Sequence, residues 1–130
     1  MSSVAGYSGT PLPKKLGFEP GTTIYVETTP DWYSKFADDN QLELSPNLPA
    51  THAHLFITWQ QELEDFLKNN DLHDIEKSLW VSWPKKASKV PTDVTEQTFR
   101  DMILPLGWVD IKVAAIDDTW SGLKFTRRKI

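Results

Sequence analysis

Residues 109–116 read VDIKVAAI, and after the six residues DDTWSG (117–122) the chain continues with LKFT (123–126). Both apolar segments are rich in β-branched and aromatic residues, which predicts two strands. Because only a short loop joins them, these strands must lie antiparallel to each other. The last two predicted strands thus form a hairpin, whereas no earlier pair of predicted strands is joined by so short a loop.

Upstream of the hairpin, predicted strands alternate with predicted helices. The strands are Thr22–Val26, a short candidate at Gln41–Pro46, His54–Thr58 and Ser78–Trp83. One helix is predicted from an apolar stripe that begins at Trp59, and a second from an acidic capping box at Asp93 and Glu96. Strands that alternate with helices pair in parallel through right-handed crossovers.

We therefore predict one domain over residues 1–130, of α/β class. The expected architecture is three-layered and Rossmann-like, with a mostly parallel sheet of five to six strands that ends in an antiparallel hairpin. Residues 1–21, rich in proline and glycine, are expected to form an N-terminal loop or arm with a short turn at Leu12–Leu16.

Composition excludes several classes of function. The chain has 130 residues and no cysteine, which excludes disulfides and thiolate metal sites. No apolar run approaches the roughly 20 residues of a membrane span, and the first residues do not resemble a signal peptide, so we expect a cytoplasmic protein with no membrane contact. The net charge of −4 makes nucleic acid an unlikely partner.

The charges are unevenly distributed along the chain. Residues 19–76 hold twelve acidic and two basic residues, whereas the rest of the chain holds six acidic and twelve basic residues. One interpretation is a patch that attracts an anionic ligand. The other is an ordinary solvated surface with both signs present.

The topology predicts where a ligand would bind. In open parallel sheets the site lies beyond the carboxyl ends of the strands. This rule selects seven tentative ligand-binding residues: Thr28, Lys85, Lys86, Ser88, Asp117, Trp120 and Ser121. The lysines would hold a phosphate or carboxylate, and the indole of Trp120 would stack on a flat ring.

Each of these residues also has a structural interpretation. Lys85 or Lys86 could instead pair with Asp117 or Asp118, and Trp120 could be core. Ser121 and Gly122 could serve only to shape the turn.

No catalytic residue is predicted. The segment after the first strand, Glu27–Asp31, contains no glycine, whereas a methyltransferase or a dinucleotide-dependent enzyme needs a glycine-rich turn there. We expect His52 and His54 to lie on opposite faces of a strand, so that no metal site forms. The sequence assigns no cofactor.

Two groups of short motifs resemble a bacterial family of unknown function. The first is AGYSGTPL (5–12) with KKLG (14–17); the second runs from LWV (79–81) and WPKK (83–86) through PTD (91–93) to TWSGL (119–123). Together they resemble the DUF3052 family. The resemblance implies a bacterial cytoplasmic setting and no substrate, and the expected fold is similar to the C-terminal part of class I methyltransferase-like Rossmann domains.

The sequence thus favours a non-catalytic binding or interaction module with an anion- or nucleotide-facing site. The alternative is a degenerate or atypical methyltransferase-like enzyme that acts on an S-adenosyl or nucleotide-like ligand. Six tryptophans, of which Trp83 and Trp108 are expected to be partly exposed, also suggest a homodimer or a protein partner.

Overall fold

The computed structural model describes residues 10–128, which form one six-stranded sheet with helices on both faces. The strands are β1 (Thr23–Tyr25), β2 (Glu43–Ser45), β3 (Ala50–Phe56), β4 (Ile75–Pro84), β5 (Trp108–Ala115) and β6 (Trp120–Arg127). The helices are α1 (Leu12–Leu16), α2 (Tyr33–Asp39), α3 (Gln60–Asn69) and α4 (Glu96–Ile103). Single 3₁₀ turns occur at Leu72–Asp74, Lys86–Ser88 and Leu104–Leu106.

The strand order in the sheet is β2-β1-β3-β4-β6-β5. Strands β1 to β4 pair in parallel, and β6 lies antiparallel between β4 and β5. The predicted α/β class, the mostly parallel sheet and the closing hairpin are therefore confirmed. The strands β1, β3, β4 and β5 all end at the same edge, which we call the carboxyl rim.

The two faces of the sheet are covered by different helices. On one face, Leu63 and Phe66 of α3 and Phe99 of α4 pack with strand residues such as Leu55. The other face is covered by α1 and α2 and holds a second cluster, listed here by its largest members: Leu16, Phe18, Tyr33, Phe56 and Trp80. Alternate residues of the central strands serve the two clusters, because successive strand side chains point to opposite faces.

The N-terminal segment is packed more closely than an arm would be. Within it, α1 ends at Gly17, whose φ of 78° lies in the left-handed region that favours glycine. The side chains of Leu16 and Phe18 are then buried against the sheet. Residues 1–9 of the predicted arm lie outside the described part of the chain.

Several local predictions were wrong. Helix α4 begins one residue after Thr95, which forms a capping box with Thr98, whereas Asp93 caps α3 instead. Ser121 and Gly122 lie in β6 and do not form the turn. Trp83 and Trp108 are both buried, since they end and begin strands that the α3 and α4 helices cover.

Candidate functional site

All seven residues selected from the sequence lie at or next to the carboxyl rim. Thr28 follows β1, and Lys85 follows β4; Lys86 and Ser88 form the 3₁₀ turn after it; Asp117 lies between β5 and β6; and Trp120 and Ser121 begin β6. The exits of these strands thus meet as the topology predicted.

The loop after β4 contacts the closing hairpin directly. The backbone N–H of Lys85 donates to the carbonyl of Thr119 at 2.8 Å, and the Ser88 hydroxyl donates to the carbonyl of Lys85 at 2.6 Å. Thr28 is exposed two strands away, and two strand spacings place its loop about 10 Å from that of Lys85. That separation is on the scale of a mononucleotide.

Asp117 holds the rim together. One carboxylate oxygen accepts the indole N–H of Trp32 at 2.9 Å, which links the hairpin to the loop after β1. The other accepts the backbone N–H groups of Thr119 and Trp120 at 2.8 and 2.7 Å. Both oxygens therefore bond groups of the chain itself.

Trp120 packs as part of the rim as well. Its ring meets the ring of Phe56 edge-on, with the centroids 5.1 Å apart, and it lies against the cluster under α1 and α2. The side chain is half-buried. Part of the Trp120 ring therefore packs in the core, as the structural interpretation expects. The rest of the ring is exposed and is available to stack on a ligand.

The most exposed indole at the rim belongs to Trp59, which the topology placed in the loop after β3 but which was not among the selected ligand-binding residues. Trp59 is 48% exposed and lies three residues after the end of β3, whose exit lies between those of β1 and β4. The helical spacing to Leu63 assigned it to the apolar stripe of α3, but Trp59 precedes the helix with extended backbone (φ −123°, ψ 138°). Its side chain consequently does not follow the helical periodicity.

The loop that carries Trp59 is anchored to the loop after β4. Thr92 donates its hydroxyl proton to the carbonyl of Thr58, and Asp93 accepts the backbone N–H of Gln60 at 2.7 Å. Glu62 accepts the N–H groups of Thr58 and Trp59, each at 2.8 Å. The first amide of α3 and the two amides before it are thus paired with carboxylates, so an anion at this rim would depend on lysines.

A buried polar chain lies beneath the α1/α2 side of the sheet. The Tyr33 hydroxyl lies 2.7 Å from Nδ1 of His54, and Nε2 of His54 lies 2.8 Å from Oγ of Ser82. Complete burial lowers the pKa of His54 to about 3, so the ring is neutral. Because Ser82 is also fully buried, this serine–histidine pair offers no nucleophile to a substrate.

His52 and His54 lie on the same face of β3, contrary to expectation. Both rings contact Phe18, with centroid distances of 4.7 and 6.2 Å. Residues two apart on a strand share a face, which the sequence interpretation had reversed. Within residues 10–128, no three His, Asp or Glu side chains are grouped so as to hold a metal ion.

Comparison with protein families gives one match. A family model described as a domain of unknown function (DUF8412) covers residues 55–130. The chain belongs to this family. The resemblance to DUF3052 was therefore wrong. No curated protein matches the DUF8412 chain.

Solved structures resemble the DUF8412 chain in fold. Magnesium protoporphyrin IX methyltransferase from Synechocystis PCC 6803, with bound SAM, has 10% identity and a TM-score of 0.55 over 85% of this chain and 72% of its own. Ribosomal protein L11 methylase from Lactobacillus delbrueckii subsp. bulgaricus has 11% identity and a TM-score of 0.50 over 89% and 74%. A protein in the NADB-Rossmann superfamily from Streptococcus agalactiae has 9% identity and a TM-score of 0.50 over 92% and 68%. At these identities the likeness concerns the Rossmann-like fold alone.

The loop after β1 lacks the glycine-rich turn that would let the backbone approach S-adenosylmethionine closely. Residues 26–32 contain no glycine, and the Glu27 carboxylate accepts the Tyr25 hydroxyl at 2.6 Å. Trp32 fills the end of this loop and packs on Tyr33 and Phe36. Strand β2 ends at Ser45, where an acidic residue would be needed to bind a ribose.

Among the described residues, no helix is both long and apolar enough to cross a bilayer.

Replacing Asp117 by alanine is expected to lower the free energy of unfolding by about 1–3 kcal/mol, because three donors at the rim lose their acceptor. Urea denaturation would measure this, and the Trp32 indole N–H resonance would report the broken link. Asp31→Ala, at an exposed position in the loop after β1, is the matched control. Equal stability of the two variants would contradict the role of Asp117.

Proposed function

We propose that this domain binds a small ligand with a flat ring and an anionic group, such as a nucleotide, at the carboxyl rim, and that it does so without catalysis. The observation that carries the proposal is Trp59. It leaves 48% of a large aromatic side chain exposed in the loop between β3 and α3, in the middle of the rim. Exposed aromatic area beside cations is typical of sites that stack a base.

The lysines of the neighbouring loop supply the charge that such a ligand needs. Lys85 and Lys86 follow β4, next to β3 in the sheet, and the loop of Lys85 is fixed by its bond to Thr119. Ammonium groups bind phosphate as point charges and need no bidentate geometry. Thr28, on the other side of β3, offers a hydroxyl to the same ligand.

The rim is rigid enough to be preformed. The loops after β3 and β4 are joined by the bonds of Thr92 and Asp93, and the loop after β1 is joined to the hairpin by Trp32 and Asp117. A preformed site loses less conformational entropy on binding.

The absence of catalysis is inferred from the chemistry of the described rim. Its carboxylates at Glu27, Glu62, Asp93 and Asp117 are each hydrogen-bonded to the chain itself. The alternative, a methyltransferase-like enzyme, is favoured by the fold of the structural neighbours, but the loop after β1 offers no close backbone approach to S-adenosylmethionine.

Isothermal titration with adenosine monophosphate, and separately with S-adenosylmethionine, tests the proposal. Trp59→Ala and the double variant Lys85→Ala, Lys86→Ala are each expected to weaken nucleotide binding about tenfold or more, since a stacked base contributes roughly 1–3 kcal/mol. The matched control is Lys68→Ala with Lys77→Ala, which removes two exposed lysines away from the rim, one in the last turn of α3 and one near the start of β4.

Three outcomes would decide against the proposal. These are no binding of the nucleotide, unchanged affinity in Trp59→Ala, or an equal loss of affinity in the control. Tight binding of S-adenosylmethionine, accompanied by transfer of its methyl group to an added acceptor, would favour the enzyme instead.

A further inference from the structure

A second group of charged residues lies away from the carboxyl rim, where the N-terminal segment crosses the sheet. Glu19 follows Phe18, which stacks on His52 near the start of β3. The Glu19 carboxylate lies 3.7 Å from Nε2 of His52 and 3.9 Å from Nζ of Lys77. The charge of Lys124 acts on both Glu19 and His52 from the neighbouring strand β6.

His52 has an unusual hydrogen-bonding state. Its side chain is only 3% exposed, and Nδ1 lies 2.6 Å from Oγ of Ser78. Within the described chain, Nε2 of His52 is the buried side-chain polar atom that has no hydrogen-bond partner. When the Ser78 hydroxyl donates to Nδ1, the proton lies on Nε2 and is directed at the carboxylate of Glu19.

The Glu19 carboxylate does not satisfy these donors. Both of its contacts exceed hydrogen-bond length, and its side chain is 61% exposed. A surface pair of this kind contributes little stability, whereas an unpaired buried N–H is destabilising. The Nε2–H of His52 therefore has no acceptor at hydrogen-bond distance, and a better acceptor would have to displace the carboxylate that lies nearest to it.

The side chain of Glu19 lies close to more positive than negative charge, since both Lys77 and Lys124 act on it. Lys124 is half-buried under Gly17, where an added Cβ would come within 2.8 Å of its Nζ, and it lies 6.0 Å from the centroid of Trp80. Burial and the nearby charge of Lys112 lower the pKa of Lys124, which marks an ammonium group that lacks sufficient negative charge around it.

We propose that His52, Lys77 and Lys124 form a site for a phosphate group, and that Glu19 occupies it as an internal competitor. A phosphate dianion offers more acceptor oxygens and more charge than one carboxylate, so it can bond Nε2–H and both ammonium groups when Glu19 turns outward. The site is independent of the proposed nucleotide site, because it lies near the amino ends of β3 and β4.

The test is titration with inorganic phosphate at constant ionic strength, followed by calorimetry. Glu19→Gln removes the competing charge, and it is expected to bind phosphate at least about tenfold more tightly than the unmodified chain, consistent with about 1.4 kcal/mol per tenfold. Glu43→Gln is the matched control, since it deletes an exposed glutamate elsewhere and changes the net charge equally. Acetate, titrated in parallel, separates phosphate from carboxylate recognition.

A second measurement assigns the binding to these residues. Adding Lys77→Gln to Glu19→Gln is expected to reverse the gain, whereas adding Lys85→Ala and Lys86→Ala is expected to preserve it. Imidazole ¹H–¹⁵N spectra should show a phosphate-dependent shift of Nε2 in His52 and none in His54. The proposal is overturned if Glu19→Gln and Glu43→Gln bind phosphate equally, if acetate binds as well as phosphate, or if His52 is unperturbed.

Discussion

Lowering the pH from about 7.5 to about 4.5 is expected to reduce the free energy of unfolding by about 2–3 kcal/mol through His54 alone. Burial lowers the pKa of this ring from 6.5 to about 3 in the folded chain. Between these two values the unfolded chain binds a proton that the folded chain does not. Stability therefore falls continuously as the pH decreases below about 6.5.

Other titrating groups act in the same direction but can be separated. Burial also lowers the pKa of His52, which adds to the loss over the same range. Hydrogen bonds lower the pKa values of Glu19 and Asp110 in the folded chain. The stability that these two carboxylates contribute is therefore lost only when the pH falls below the ordinary pKa range of carboxyl groups. Measurements that stop at about pH 4.5 thus report mainly on the two buried histidines.

Urea denaturation at several pH values measures this slope. His54→Gln is expected to reduce the dependence of stability on pH by the amount that one titrating histidine contributes. The variant is also expected to be less stable at every pH, because Tyr33 and Ser82 lose a hydrogen-bond partner. Tyr33→Phe, which breaks the same buried hydrogen-bonded chain but keeps the His54 ring in place, is the control that should keep the full slope. An unmodified chain with constant stability between pH 7.5 and 4.5 would show that His54 is not buried as a neutral ring.

The topology was predictable because it depends on few signals. Continuous apolar runs such as His54–Thr58 indicate strands buried on both faces, and the short link after Ile116 permits only an antiparallel return. The handedness of crossovers then leaves few arrangements. These signals fix which strand exits meet, and so they also predicted the neighbourhood of Lys85 and Asp117.

The details of the rim were not predictable by the same reasoning. Helical spacing assigned Trp59 to the core, but the helix begins one residue later, and periodicity carries no information beyond a helix end. Gly122 is a turn former by residue type, yet it lies in β6. The strand needs glycine at this position because an added Cβ would come within 3.0 Å of the Trp80 ring. Such requirements depend on residues that are distant in sequence.

Replacing Trp80 by alanine is expected to have the largest effect on stability, a loss of about 3–5 kcal/mol. The side chain is completely buried in the centre of the sheet, and its indole N–H donates to the carbonyl of Leu16 at 2.9 Å. It therefore joins β4 to the N-terminal segment. For a domain whose total stability is about 5–15 kcal/mol, this loss leaves a partly or wholly unfolded chain.

Comparison of two substitutions separates packing from the hydrogen bond. Trp80→Phe keeps most of the apolar contact but leaves the carbonyl of Leu16 without its donor, for an expected loss of about 1–3 kcal/mol. Trp59→Ala removes the same type of side chain from a position where only about half of it is buried, and it should cost clearly less, about 1–2 kcal/mol. Urea denaturation of the three variants at neutral pH gives the order directly. If Trp59→Ala were as destabilising as Trp80→Ala, Trp59 would be a core residue, and its role as an exposed stacking surface could not stand.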